Sequence, residues 1–215
     1  MNLSSKRLSA TVSLTMFAVL LLPLVFYFTV DQALVNNIVQ QYKPKDIGEF
    51  AFSFLILSLL MSMGLPRQIA AFSSGYLLGT LYGTFFATLA ASLACLLTFF
   101  TARFIFHQRL SKQFPKQLAT LNHFFTHDVF VKAFIIRLIP AGSNFLTNVL
   151  AGTAKAPLLP YLAGTMFGFI PQMLLFAMLG AGIQIGDNQQ IILSVVLLLV
   201  AGILAAYLYQ KKDAK

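Results

Sequence analysis

Arg137-Leu138-Ile139-Pro140-Ala141-Gly142-Ser143-Asn144-Phe145-Leu146-Thr147-Asn148-Val149-Leu150-Ala151-Gly152 is the stretch on which the fold turns. An apolar run beginning at Val129 carries an arginine near its end, stops at Pro140, and resumes at Phe145 after a small and polar interruption. Proline withholds a backbone donor, glycine opens the chain, and asparagine can cap the helix ends that result. At membrane depth such freed backbone groups must be satisfied by protein, water or a ligand. Neither Val129–Ile139 nor Phe145–Gly152 has the roughly 20 apolar residues needed to cross a bilayer. The stretch therefore reads as a re-entrant hairpin around Pro140, closed by Lys155-Ala156-Pro157.

Arg137 gives that hairpin its chemistry. An arginine at the centre of a membrane helix costs about 2.5–3.5 kcal/mol on insertion scales, so it should face a cavity, an acid or an anionic ligand. The six acids are Asp31, Asp46, Glu49, Asp128, Asp187 and Asp213, and none lies in the broken segments. A phosphate is then the natural counter-charge, and arginine meets phosphate through its bidentate fork. A shallow stretch from which Arg137 snorkels to the head groups is the bland alternative. Asn148, with Asn144 and Ser143, either hydrogen-bonds a ligand or simply satisfies the break.

Composition sets the solvent. Of 215 residues 58% are hydrophobic and only 10% are charged, with a mean hydropathy of +0.81. A soluble domain carries about 25% charge, and a disordered chain is poor in apolar residues. The chain is an integral membrane protein. Its net charge of +9 sits at the ends of apolar runs rather than on a solvated face, so anionic lipid head groups are expected as partners and nucleic acid is not. The single Cys95 leaves no disulfide framework.

Outward from the decisive stretch, the runs repeat a pattern. Ala10–Val30 reads as an uncleaved first span, Leu158–Ala181 as a full span containing Gly164, Gly168 and Pro171, and Ile191–Tyr209 as the last. Phe50–Met63 is cut short by Gly64-Leu65-Pro66-Arg67-Gln68, a second break in which Arg67 is either another phosphate contact or an interfacial anchor. In the uncharged run from Ile69 to Ala102, Gly75, Gly79 and Gly83, four apart, are expected to line one helical face for close packing, with one span around 78–101. Residues 103–128 read as a basic loop. The Lys and Arg counts put both termini and this loop in the cytoplasm, and 31–49 and 182–190 outside. That topology needs an odd number of crossings in each half. About four transmembrane helices and two opposed re-entrant hairpins, an all-α polytopic inverted repeat, satisfy it. The expected division is 1–49, 50–181 and 182–215.

Arg137-x-x-Pro140, then Asn148 and Gly152, resembles the R-x-x-P-x-x-P-x-x-x-x-N-x-x-x-G signature of the DedA/SNARE-associated (VTT-domain) membrane proteins. Pro66, Gly75, Gly79, Gly83 and Arg103 are similar to that family's first half, and the likeness covers roughly residues 50–180. It implies opposed hairpins and an activity that moves phospholipids or polyprenyl-phosphate carriers between leaflets. Ser143 stands where the family usually has its second proline. Arg67 and Gln68 follow Pro66 where many members carry acids, which places the chain nearer the SNARE-associated branch and offers no membrane carboxylate for proton coupling.

On this reading Arg137 holds a lipid phosphate and Arg67 receives it from the other side, with Asn148 and Asn144 as further contacts. His107, His123, His127 and Asp128 have metal-like spacing but sit in the basic loop without a cysteine, and read as a solvated face. No paired intramembrane aspartates, buried serine–histidine pair or P-loop occurs, so neither an enzyme nor a cofactor is expected. The alternatives are an ion- or proton-coupled small-solute transporter and a non-transporting membrane-organising protein. The cell membrane (the inner one in a Gram-negative cell) is the expected location, with self-association left open.

Overall fold

The computed structural model describes residues 44–138 and 144–213 together with Asn37 and Gln41. The span expected at Ala10–Val30 and the break residues Pro140 and Ser143 lie outside these. Every regular element among the described residues is helical. Helix α1 (Ile47–Ser62) is started by Asp46, whose carboxylate accepts from the Glu49 amide at 2.8 Å, while the Glu49 carboxylate accepts from the Lys45 amide at 2.8 Å. This reciprocal arrangement satisfies donors that a helix start leaves free. Gly64 at φ +118° and Pro66 end α1 and launch α2 (Arg67–Leu78). Helix α3 (Thr80–Thr101) runs on without a break through a π-helical segment (Ala102–Phe106) into α4 (His107–Gln113).

The rest of the chain repeats the scheme. Helix α5 (Pro115–Phe124) has proline at its first position, where the missing donor costs nothing. Helices α6 (Val129–Leu138) and α7 (Asn144–Thr153) are short, and α8 (Leu158–Ile185) is long. The left-handed Gly186 ends α8, and Asp187 opens α9 (Asn188–Asp213) by accepting from the Gln189 and Gln190 amides. Thr80–Arg109 and Leu158–Ile185 span 30 and 28 residues and are apolar enough to cross a membrane. At about 1.5 Å per residue each exceeds a hydrocarbon core of about 30 Å, whereas α2, α6 and α7 are too short. Of residues 103–128, expected as a loop, 103–113 and 115–124 are helical: their basic composition does not prevent backbone pairing.

The packing crosses between the halves. Helix α1 lies on α3, and α6 lies on α8, each within its own half. In contrast α2 lies on α8 and α7 lies on α3, so each half lends its short arm to the other half's long helix. One apolar core joins Ala70, Ala71, Ala87, Ala91, Phe169 and Phe176; a second joins Cys95, Phe99, Phe125, Ala133 and Tyr161.

Glycine makes these crossings close. A Cβ on Gly75 would strike the Ala177 backbone, one on Gly152 the Phe99 carbonyl, and one on Gly164 the Phe130 carbonyl. Gly79 behaves differently from the sequence expectation. It does not share a helical face with Gly75 and Gly83; the chain turns there at φ +80°, and a Cβ would meet nothing within 4 Å. The turn folds α3 back so that Gly83 faces Gly75, where an added Cβ would lie 2.6 Å from the Gly75 Cα. Gly79 is needed for its backbone conformation, and its neighbours for their small size.

Candidate anion site

Both breaks deliver an arginine to the same place. Arg67 is the first residue of α2, directly after Pro66, and Arg137 lies in the last turn of α6. Their exposures are 3% and 2%, so neither guanidinium reaches the head groups. Both lie over one ring: each guanidinium carbon is 5.1 Å from the Phe169 centroid, and Arg137 is also 5.9 Å from the Tyr161 centroid. Gly168 permits the approach of α8, since a Cβ there would sit 2.6 Å from the Arg137 Cβ.

Among the described residues, every hydrogen-bond partner of the pair is neutral. Arg137 donates to the Thr147 hydroxyl, the Asn148 side-chain oxygen and the Tyr161 hydroxyl. Asn148 Oδ1 also accepts from the Tyr161 hydroxyl at 2.8 Å and from the Cys95 thiol at 3.3 Å, while its amide nitrogen donates to Asn144 Oδ1 at 3.4 Å. Arg67 donates to the Gln172 side-chain oxygen and, at 3.4 Å, to the Arg137 carbonyl. That carbonyl belongs to the C-terminal turn of α6, whose unpaired oxygens favour a nearby cation. The Nε atoms of both arginines and the Nδ2 of Asn144 are buried without a partner.

Two desolvated like charges held by neutral oxygens and an aromatic face are an incomplete arrangement. Cation–π contact returns about 2 kcal/mol when desolvated, and burying an unpaired charge costs several times that. An anion at either guanidinium would offset the unpaired charge and meet a donor, Nε, that has no partner among the described residues. The site can therefore hold a phosphate-like anion. A cavity of about 110 Å³ lies against Arg137, lined by Phe124, Phe125, Ile136, Thr147, Leu150 and Tyr161 among others.

Arg137, Arg67, Asn148 and Asn144, all singled out from sequence, thus form one cluster, with Pro66, Gly152 and Gly168 shaping its approaches. Tyr161, Phe169, Thr147 and Gln172 were not singled out. Their signal is a stripe: Tyr161, Thr165, Gly168 and Gln172 recur at helical spacing on α8, as do Asn144, Thr147, Asn148 and Ala151 on α7. Away from the cluster, the π-helical segment aims Arg103 and His107 at the exit of α7. Arg103 donates to the Ala156 carbonyl at 3.3 Å, and His107 Nδ1 pairs with the Thr153 carbonyl at 2.7 Å. The histidine thus serves a helix end.

A family model described as the VTT domain matches residues 65–182, more than half of the chain. No curated protein and no solved structure matches it.

Proposed function

We propose, from the premise that this chain belongs to the VTT-domain family of DedA-type membrane proteins, that it is a lipid translocase rather than an enzyme. It moves phosphate-bearing lipids, phospholipid or polyprenyl phosphate, between leaflets while the tails stay in the bilayer. The reading is carried by one observation: two arginines, 3% and 2% exposed, share the Phe169 ring and, among the described residues, have only neutral hydrogen-bond partners. A head-group phosphate completes that site, and the two arms that supply the arginines come from opposite halves of the fold. Membrane lipids are the partners, no cofactor takes part, and the location is the cell membrane.

The test is leaflet exchange of labelled phospholipids in liposomes, at equal protein incorporation. Arg137→Lys keeps the charge and loses the fork, so exchange should fall about tenfold, the worth of one charge-assisted hydrogen bond. Arg137→Ala should fall further. Equal rates for wild type and both variants refute the assignment, and exchange that requires a pH gradient favours the coupled-transporter alternative.

A further inference from the structure

Gln172 hydrogen-bonds to both breaks at once. Its side-chain oxygen accepts from Arg67 at the start of α2, and its nitrogen donates at 3.3 Å to the Leu138 carbonyl, the last of α6. Unlike the arginines it is half-buried, so it stands between them and the surface. It follows Pro171, which has no N–H to return to the Phe167 carbonyl, so the helix there lacks one internal bond. A neutral amide is a poor match for a buried cation whose Nε has no partner at all.

We infer that Gln172 is an internal placeholder: its amide oxygen occupies on Arg67 the position that a phosphate oxygen takes when the site fills, and binding begins with its displacement. The inference rests on the phosphate reading above and adds to it a regulated entrance. The ligand chemistry is a phosphate group, carried by a lipid or free in solution. An anion replaces the amide because it brings a full charge to the Arg67 guanidinium, whereas the amide brings only a dipole. The released amide keeps its second bond to Leu138, so it can swing aside without losing all its partners.

The experiment measures binding to the purified full-length chain in detergent. Its probes are dioctanoyl phosphatidic acid, inorganic phosphate and, as an uncharged control, dioctanoylglycerol. Gln172→Ala removes the competitor, so the phosphate probes should bind about three- to tenfold more tightly. Gln172→Glu places a permanent carboxylate on Arg67, so binding should weaken about tenfold or more while the melting temperature rises. A merely structural glutamine would lose stability and binding together. Tighter binding of both phosphate probes by Gln172→Ala identifies the group itself as what displaces the amide; tighter binding of phosphatidic acid alone identifies a lipid source. Weaker binding by Gln172→Ala, or unchanged binding by Gln172→Glu, overturns the placeholder. Should Gln172→Glu not fold, the direction for Gln172→Ala decides. A wild type that binds neither phosphate probe refutes the phosphate reading, and the placeholder with it.

Discussion

Gly168→Ala tests whether the closeness of α6 and α8 is what sets the arginine site. The new Cβ would lie 2.6 Å from the Arg137 Cβ, 2.9 Å from the Phe134 carbonyl oxygen and 3.2 Å from the Arg137 Cγ. Carbon atoms rest at about 3.5–4.0 Å, so the helices must part by roughly 1 Å. Overpacking of that kind costs about 1–3 kcal/mol. The stem of Arg137 carries the strain, so its guanidinium must shift from the Phe169 face and from Asn148. Gly79→Ala is the matched control. It has open space around the new methyl, but at φ +80° and ψ 175° it demands a backbone conformation essentially confined to glycine, at about 1–3 kcal/mol. Both variants should unfold at lower temperature in detergent, by comparable amounts. Only Gly168→Ala should also lose lipid exchange in liposomes beyond its loss of folded protein. Parallel losses of exchange per folded molecule in the two variants would refute the idea that Gly168 positions Arg137.

Two further outcomes are expected. Tyr161→Phe keeps the ring against Phe99 but deletes a hydroxyl that accepts from Arg137 and donates to Asn148. It should cost about 1–3 kcal/mol in unfolding experiments, and an unchanged melting curve would remove the hydroxyl from the network. Single cysteines at Lys6, Lys112 and Lys212 in a Cys95→Ser background should label only from the cytoplasmic side. Serine keeps the donor that the Cys95 thiol offers Asn148. Labelling of position 112 from outside would contradict the opposed arms.

The halves of this site differed in how far they could be read from the chain alone. Arg137 stood out because a charge in an apolar run beside a proline and an asparagine has few bland explanations in a membrane. Nothing local reveals that Arg67, 70 residues earlier, donates to the Arg137 carbonyl, because that meeting depends on α2 packing across on α8 as well as on α3 of its own half. Tyr161 and Gln172 were hidden for another reason: single polar residues in a long apolar span register as interruptions until their shared helical face is drawn. Gly79 shows the limit of spacing arguments. Three glycines four apart describe a packing face or a face folded back at its middle member, and only the backbone angle distinguishes them. Residues 103–124 show that basic composition reports solvation rather than the absence of helix.

The crossed arms also impose an order on biogenesis. Arg67 emerges from the ribosome long before its partners: the Arg137 carbonyl comes 70 residues later and Gln172 comes 105 residues later. At about 5–20 residues per second, the wait for Gln172 is on the order of 5–20 s. During that time α2 has neither its partner helix α8 nor the polar groups that receive its arginine. A cation without partners is costly in hydrocarbon, so the first arm, with only α3 to pack on, is expected to dock fully after the second half has been synthesised. Helix α8 is then the closing element of assembly: its arrival draws α2 inward, and a nascent chain truncated before Gln172 leaves its first arm undocked.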